Sequence, residues 1–336
     1  MKALICEQPG QLTIVERPEP TPRPSEVVVR IRRVGVCGTD FHIYAGKHPF
    51  LAYPRVMGHE LSGEVASAPT GSALRPGEIV YIVPYLSCGQ CRACRRGVTN
   101  ACRSISVLGV HQDGGMAEFL AVPESNVIAA NGIGLDDAAM IEFLAIGAHG
   151  IRRGGVGAED RVLVIGVGPI GMSAVVFAAA TGARVTAVDT RQDRLDMALA
   201  SLGAARGIIA SDQIQDALAA DTDGEFYDVV IDATGHVGSI NRGLHYVGHG
   251  GRHVLLSVVR DNLVFPGPEF HKRETTLFAS RNAQPADFAT VVAHIRKGRI
   301  PTALLNTHRT KLKDAASQFD IWLRPETGVI KAMIEL

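Results

Sequence analysis

The stretch from Arg161 to Asp189, RVLVIGVGPIGMSAVVFAAATGARVTAVD, constrains the fold of this chain more than any other part. The apolar run at 162–167 predicts a buried strand, and the apolar segment at 170–180 predicts a helix directly after it. A second predicted strand then ends at Asp189. This alternation predicts a βαβ unit in a parallel sheet.

The turn between the first strand and the helix contains the motif GxGxxG, formed by Gly166, Gly168 and Gly171. Gly166 permits the tight turn, Gly168 lets a pyrophosphate approach the backbone, and Gly171 lets the helix pack close to the sheet. The free N–H groups and the dipole at the helix start favour a bound anion. The motif alone is weak evidence, but the flanking strand, helix and acid favour dinucleotide binding over a structural turn.

The acid at the end of the second strand bears on the identity of the dinucleotide. Asp189 is placed to accept hydrogen bonds from the ribose diol of adenosine, and its charge would repel the 2′-phosphate of NADP. NAD is therefore the predicted cofactor. Arg191 and Arg194 follow closely, and three interpretations of them are open. They offset that repulsion, or Arg194 stacks on adenine, or both are ordinary surface charges.

Length and charge restrict the classes of protein to consider. A chain of 336 residues predicts two domains. Its 34 basic and 34 acidic residues balance, which gives no electrostatic reason to expect nucleic acid or a membrane surface as a partner. Runs of 18 or more apolar residues are absent, and the start MKALICEQPG lacks the apolar core of a signal peptide. A cytoplasmic protein is expected.

Hydrophobic patterns predict an α/β fold in which a β-rich part precedes a doubly wound parallel sheet. Early strands are predicted at 2–6, 11–15, 26–33, 61–66, 79–84 and 116–122. A helical pattern covers 135–153. After the βαβ unit, strands are predicted at 228–233, 253–258 and 275–279, a helix at 286–297, and a last strand at 329–336.

Four of the six cysteines form a cluster with the spacing C-x2-C-x2-C-x7-C, at Cys88, Cys91, Cys94 and Cys102. Thiolates at such short spacings can converge on one ion, and four sulfur ligands make a closed, structural zinc site. A ferredoxin-like cluster would place proline after the fourth cysteine, where this chain has Arg103. Four unrelated buried thiols are the disfavoured alternative, because the rest of the chain is poor in cysteine.

Another set of metal-binding residue types lies earlier in the chain, where Cys37 in CGTDFH is followed by His59 and Glu60 in GHE. Cysteine, histidine and glutamate together can hold zinc and leave a position for water or substrate, as in catalytic sites. By spacing alone, the catalytic and structural interpretations remain equally open.

The motifs CGTDFH, GHE, the four-cysteine loop, IEFLA at 141–145 and GxGxxG occur in the order and spacing of the zinc-dependent medium-chain alcohol dehydrogenases. The chain resembles this family over its whole length. The sorbitol, threonine and sugar-acid dehydrogenase branch is the most similar, through the stretches 48–60, 105–115 and 268–288. The resemblance implies three segments: a GroES-like catalytic domain with a structural zinc lobe at 1–144, a Rossmann NAD-binding domain at 145–281, and a return to the catalytic domain at 282–336.

The resemblance also implies roles for single residues around the catalytic zinc. Cys37 and His59 match zinc ligands, Glu60 matches a glutamate that is bound in some members and detached in others, and Glu142 matches an acid that binds directly or through water. Asp40 matches an acid that orients the zinc-bound imidazole. The proton relay of the family is matched by Thr39 and His42.

The cofactor contacts implied by the resemblance comprise the motif region and two segments beside the nicotinamide: Gly166, Gly168, Ile170, Gly171, Asp189, Arg194, Ser257, Ser280 and Arg281. His48, Phe50 and Asn282 either line a substrate pocket or belong to ordinary loops. Phe143 stands where the family usually has proline, so the size or shape of the substrate is expected to differ from that of the relatives.

The implied activity is oxidation of a secondary alcohol of a sugar acid or polyol, with an aldonate favoured. The implied cofactors are NAD and two zinc ions per subunit, one catalytic and one structural, in a homodimer or homotetramer. Neither nucleic acid nor a membrane is an expected partner. A threonine or simple polyol dehydrogenase is the alternative within the enzymes, and a non-catalytic NAD-binding protein is the alternative outside them.

Overall fold

The computed structural model describes residues 1–47 and 51–336. The chain forms two compact units, the first made of residues 1–142 and 292–336 and the second of residues 143–291. The chain therefore leaves the first unit once and returns to it, so residues distant in sequence share one core.

The strands are, in chain order, β1 (Lys2–Gln8), β2 (Gln11–Glu16), β3 (Glu26–Val36), β4 (Arg55–Val56), β5 (Glu60–Ser67), β6 (Ile79–Ile82), β7 (Tyr85–Leu86), β8 (Ser106–Val107), β9 (Phe119–Pro123), β10 (Val127–Ala129), β11 (Arg161–Ile165), β12 (Arg184–Asp189), β13 (Arg206–Ile209), β14 (Tyr227–Asp232), β15 (Val247–Leu255), β16 (Thr276–Ala279), β17 (Asn306–Lys311) and β18 (Lys331–Glu335). The helices are α1 (Gly38–Tyr44), α2 (Arg92–Arg95), α3 (Leu135–Ala139), α4 (Ile141–Arg153), α5 (Pro169–Ala180), α6 (Gln192–Ser201), α7 (Ile214–Asp221), α8 (Val237–Gly243), α9 (Gly267–Lys272), α10 (Pro285–Arg296), α11 (Thr302–Leu305) and α12 (Ala315–Trp322).

The first unit is built around the long strand β3, which pairs antiparallel with β5, β9 and β18. Its main sheet has the order β10-β6-β5-β3-β18-β17, and a smaller sheet has the order β2-β1-β4. Both contribute to one apolar core that includes Leu4, Ile31, Leu61 and Phe319. The strand predicted at 329–336 is present as β18, and it lies between β3 and the edge strand β17 of the main sheet.

The second unit contains one parallel sheet with the order β13-β12-β11-β14-β15-β16. The strand order reverses beside β11, which is followed by α5, so the carboxyl end of β11 lies at a topological switch point. Open parallel sheets bind ligands at such points. The α/β fold class predicted from the sequence, with a β-rich domain and a doubly wound domain, is confirmed.

Several boundaries differ from the sequence prediction. The return to the first unit lies at residue 292 rather than 282, because α10 begins in the second unit, where the Asp287 carboxylate accepts a hydrogen bond from Arg152 on α4 at 2.7 Å. Strand β15 begins at residue 247 rather than 253, since it passes through a register shift at residues 248–251, which include three glycines. Strand β17 and helix α12 were not predicted, and the polar sequence NTHRTK of β17 suits its place at the sheet edge.

The helices in the described ranges include none that combines the length and the apolar character needed to cross a lipid bilayer.

A buried histidine in the parallel sheet of the second unit makes the stability of the protein depend on pH. His253 on β15 is fully buried, and neither of its ring nitrogens has a hydrogen-bond partner within residues 1–47 and 51–336. Burial lowers the pKa of His253 to about 4, because a charged imidazole would be desolvated there. In the unfolded chain a histidine has a pKa of about 6.5. Between these two pH values the unfolded state binds a proton and the folded state does not. The free energy of unfolding therefore decreases as the pH is lowered from about 6.5 to about 4.

We predict that the free energy of unfolding drops by about 2 kcal/mol between pH 7.5 and pH 5 because of this residue. The substitution His253→Leu should remove that part of the acid sensitivity. Urea unfolding of the wild type and of His253→Leu at the two pH values measures this change in the free energy of unfolding. Equal pH dependence in the two proteins would contradict the assignment to His253.

Candidate metal centres and dinucleotide site

The glycine turn after β11 has the backbone geometry that its sequence predicts. Gly166 adopts a φ of +84°, in the left-handed region, and a Cβ at this position would lie 2.8 Å from the Thr234 side chain. A Cβ on Gly171 would lie 1.8 Å from the Gly166 carbonyl oxygen. By contrast, a Cβ on Gly168 would have its nearest neighbour, Arg194, at 3.8 Å. Two glycines thus make the turn possible, and the third leaves its surface open to a ligand.

A cavity of about 590 Å³ lies against this turn and is lined wholly by the second unit. Its walls include Gly168, Asp189, His236 and Arg242. The size and the mixed polar and apolar lining suit part of a dinucleotide. The turn that the motif predicted and this cavity therefore form one site.

The Asp189 carboxylate is buried and has a defined orientation. One oxygen accepts the Val167 N–H at 2.6 Å and the other accepts the Arg191 N–H at 3.0 Å. The Arg194 guanidinium lies 3.8 Å away. Arg191 is paired with Asp193 through contacts of 2.7 and 3.0 Å, so its charge is already matched. Arg194 is therefore the nearby counter-charge of Asp189, whereas the charge of Arg191 is matched by Asp193.

The remaining predicted cofactor residues lie just after strands β11, β15 and β16 of the parallel sheet. Ile170 is in the first turn of α5, Ser257 follows β15, and Ser280 and Arg281 follow β16. The Ser280 hydroxyl is buried without a hydrogen-bond partner among the described residues. Each of these positions is near the carboxyl end of a parallel strand, where ligands of such sheets bind.

The four-cysteine loop brings its sulfur atoms together. All four lie within 4.8 Å of one another, with 3.5 Å between Cys91 and Cys94 and 3.5 Å between Cys88 and Cys102. Backbone N–H groups of Cys94 and Arg103 point at the Cys91 sulfur and lower the pKa of that thiol to about 6. Four sulfur atoms that converge at these distances are a donor set that fits a tetrahedral zinc ion.

Asp40 organises the other cluster through two backbone contacts. One of its oxygens accepts the Cys37 N–H at 2.9 Å, at the start of α1, and the other accepts the Gly58 N–H at 3.2 Å, just before β5. This buried carboxylate therefore holds Cys37 and His59 near each other. The hydrogen bond expected between Asp40 and His59 does not form, since the two groups are 4.0 Å apart.

Cys37, His59 and Glu60 present a sulfur, a nitrogen and an oxygen that all lie within 4.8 Å of one another. His59 is 5% exposed and Glu60 is fully buried. Thr39 and His42 lie on α1 directly after Cys37; Thr39 is half-buried and His42 is exposed. The predicted ligands and relay residues thus occupy one region of the first unit, from its interior to its surface.

Glu142 lies in the first turn of α4, and the Tyr85 hydroxyl donates a hydrogen bond to one of its oxygens. The other oxygen, and the Nδ1 atom of His59, have no hydrogen-bond partner in the part of the chain that is described. Burial raises the pKa of Glu142 to about 7, and the charge of Glu60 adds to this effect. Tyr85 was not predicted, because nothing in its local sequence indicates that it faces Glu142.

Lys331 on β18 is the other residue that the sequence analysis missed. Its ammonium donates to the two oxygens of Glu60 at 2.6 and 2.7 Å and to the Val36 carbonyl at 3.3 Å. Lys331 is 1% exposed. The signal that could have found it is a lysine in the otherwise apolar run KAMI, since a buried charge needs a partner.

The site fits a zinc ion because thiol, imidazole and carboxylate groups converge in a buried space and two of their polar atoms are unpartnered. His48 and Phe50, considered for the substrate pocket, lie outside the described residues. Asn282 is half-buried with a φ of 52°, and Phe143 is fully buried.

Two family models match this chain. The alcohol dehydrogenase GroES-like domain matches residues 23–132, and the zinc-binding dehydrogenase model matches residues 169–297. The first match covers both candidate metal clusters except Glu142, and the second begins at the helix that follows the glycine turn.

Relatives of known name extend the similarity over the chain. An L-galactonate-5-dehydrogenase of Escherichia coli is 40% identical, over 99% of this chain and 98% of the relative. An L-threonine 3-dehydrogenase of Caldanaerobacter subterraneus is 35% identical, over 76% of this chain and 77% of the relative. The crystal structure of the alcohol dehydrogenase rspB from Escherichia coli, in complex with NADH, superposes with a TM-score of 0.94 at 32% identity, covering 100% of this chain and 99% of that chain.

We predict that Asp189→Asn weakens NAD binding about tenfold and reduces the preference for NAD over NADP, because it removes the negative charge that repels a 2′-phosphate. Fluorescence titration with NADH and NADPH measures both affinities. The exposed Asp196 on α6 provides a matched control, and Asp196→Asn should change neither. An unchanged ratio in Asp189→Asn would show that this carboxylate does not select the cofactor.

Proposed function

Since the chain belongs to the zinc-binding alcohol dehydrogenase family, we propose that it oxidises a secondary alcohol of a sugar acid with NAD as hydride acceptor. L-galactonate is the favoured substrate. The observation that carries the reaction is the buried cluster of thiol, imidazole and carboxylate groups with unpartnered atoms. The substrate is supported by the 40% identity to an L-galactonate-5-dehydrogenase over nearly the full length of both chains.

Cys37 and His59, with a carboxylate from Glu60 or Glu142, would hold the catalytic zinc, and Cys88, Cys91, Cys94 and Cys102 would hold the structural one. A zinc ion bound at the catalytic position supplies a Lewis acid that lowers the pKa of a hydroxyl group it binds. Burial of the protein ligands strengthens this effect, because charges interact more strongly away from water.

Thr39 and His42 are the proposed route for the proton that leaves the substrate hydroxyl. They are three residues apart on α1, so their side chains lie on the same face of the helix. Thr39 is half-buried and His42 is exposed, which suits transfer from the interior to solvent. Asp40 would keep this helix in place through its bonds to the Cys37 and Gly58 backbone.

The two units have separate roles in this proposal. The first unit supplies the zinc ligands and the relay, and the second unit supplies the cofactor site at Gly166, Gly168, Gly171 and Asp189. Arg194 stands beside Asp189 in the same cavity and would contact the adenosine part of NAD. The resemblance implied a division of the same kind, with bounds at 1–144, 145–281 and 282–336, where the two units comprise 1–142 with 292–336 and 143–291.

We further propose that the chain acts in the cytoplasm as a homodimer or homotetramer. In support of a reducing compartment, none of the six cysteines is paired in a disulfide. In support of subunit contacts, Val258 and Val264, in the segment between β15 and α9, are 83% and 70% exposed. Contact with another subunit would cover such apolar surface.

NAD reduction by the zinc-loaded protein tests the proposed substrate. We expect turnover with L-galactonate that exceeds turnover with sorbitol and L-threonine, and loss of that turnover after chelation of zinc. Turnover with L-threonine alone would retain the chemistry and reject the sugar acid. Binding of NADH without turnover on any of the three would support a non-catalytic NAD-binding protein.

Replacement of the proposed zinc ligands tests the reaction chemistry. We predict that Cys37→Ser and His59→Ala each reduce NAD turnover at least about a hundredfold, because they remove ligands of the catalytic metal. NADH affinity should change less than about threefold, since the cofactor residues belong to the second unit. Cys6→Ser is the matched control, because Cys6 is buried in β1 outside both clusters. Near-normal turnover in either ligand variant would refute the assignment.

A further inference from the structure

Helix α1, which carries Thr39 and His42, is too short to be stable without support from other elements. It spans the seven residues Gly38–Tyr44, and isolated helices shorter than about 12 residues are marginal in water. Its start is fixed by Asp40, which accepts the Cys37 N–H at 2.9 Å. The orientation of the rest of the helix therefore depends on what packs against it.

The side of α1 opposite Thr39 and His42 packs on α12, and both helices belong to the first unit. Successive residues of a helix are about 100° apart, so Thr39 and His42 share one side, while Phe41 and Tyr44 point to the other. The ring centroids of Phe41 and Tyr44 each lie 5.5 Å from that of Phe319 on α12. Phe319 is fully buried, so this contact belongs to the core.

A hydrogen bond between the two helices accompanies the aromatic contact. The hydroxyl of the buried Tyr44 donates to one carboxylate oxygen of the exposed Asp320 at 2.8 Å. Burial and this bond raise the pKa of Tyr44 to about 12, so the hydroxyl keeps its proton and remains a donor. The last residue of α1 is thus joined to α12 by its ring and by its hydroxyl.

Other contacts at the end of α1 involve its carbonyl groups. The Tyr44 carbonyl accepts the Gly10 N–H at 2.7 Å, and the Ile43 carbonyl accepts the Tyr53 hydroxyl. Carbonyl groups in a helix point along the helix axis, so these bonds oppose sliding of α1 more than its rotation. Rotation decides where Thr39 and His42 point, and the side chains packed on α12 are the ones that oppose it.

We propose that Phe319 and Asp320 are positioning residues, which hold α1 in the orientation that proton transfer through Thr39 and His42 requires. Donor and acceptor in such a transfer have to lie within hydrogen-bond reach, and a misplacement of about 1 Å can slow a reaction about a hundredfold. This inference rests on the proposed function, because it presumes that Thr39 and His42 carry the proton.

Amide hydrogen exchange of the zinc-loaded protein, measured by mass spectrometry, tests whether α12 holds α1. We expect residues 38–44 to exchange at least about tenfold faster in Phe319→Leu and about threefold faster in Asp320→Ala. Asp320→Asn keeps an acceptor oxygen and should match the wild type. Phe288→Leu is the matched control, since Phe288 is an equally buried ring in the second unit, and it should leave α1 unchanged.

Alcohol oxidation by the same variants tests whether this support serves proton transfer. We expect kcat to fall about tenfold in Phe319→Leu and about threefold in Asp320→Ala. NADH affinity should change less than about twofold, because the cofactor residues belong to the second unit. The ratio of the rates in H2O and D2O should rise, since proton transfer becomes slower. Imidazole added at constant pH should partly restore kcat by accepting the proton directly.

Two results would overturn the inference. Unchanged exchange of residues 38–44 in Phe319→Leu would show that α12 does not hold α1. Faster exchange, with the solvent isotope effect unchanged and no response to imidazole, would show that the contact serves stability alone. Failure of the proposed function is distinguishable from both, because the wild type itself would then oxidise no alcohol while α12 still protected α1.

A milder variant keeps the test decisive if Phe319→Leu does not fold. Tyr44→Phe removes only the hydroxyl that bonds to Asp320. It should reproduce the effects of Asp320→Ala, and the double variant should show no more than either single change, because both remove one bond. Additive effects in the double variant would contradict the role of this bond.

Discussion

The buried ion pair between Glu60 and Lys331 is the interaction on which the first unit depends. It joins residues 271 positions apart and connects β5 to β18 across β3. Either charge alone would be costly inside the protein, so the pair requires the last strand to return to the sheet that contains the candidate metal ligands. The end of the chain is therefore part of the site, although the predicted ligands and relay residues of that site all lie within the first 142 residues.

Around this pair, the first unit uses carboxylates for different tasks. Asp40 accepts backbone N–H groups and holds the Cys37 and His59 segments together, Glu60 balances a lysine, and Glu142 keeps an oxygen free. These tasks follow from the partner that each acid has, because the three are the same chemical group in similarly buried surroundings. The chemistry available at the site is therefore decided by the residues that contact each acid, and these residues come from segments far apart in the chain.

The second unit depends on backbone shape more than on charge. Gly166 and Gly171 are required by close approach of main-chain and side-chain atoms, and Gly168 leaves room at the start of α5. The position of Asp189 then follows from the parallel pairing of β11 with β12, which places the ends of the two strands side by side. Local requirements of this kind are visible in a sequence, which is why the βαβ unit and its glycine turn could be predicted.

By itself, the sequence determined the α/β fold, the glycine turn, the clustering of Cys88, Cys91, Cys94 and Cys102, and the candidate ligands Cys37 and His59. Each of these depends on residues close together in the chain or on hydrophobic periodicity, which are local properties. Only the tertiary structure decided that Lys331 meets Glu60, that Tyr85 meets Glu142, and that Asp40 contacts backbone rather than His59. Those contacts arise from strand order and register, and a single sequence does not encode them in any local pattern. The same reason accounts for β17 and α12, whose places come from packing on the first unit and not from a strong pattern of their own.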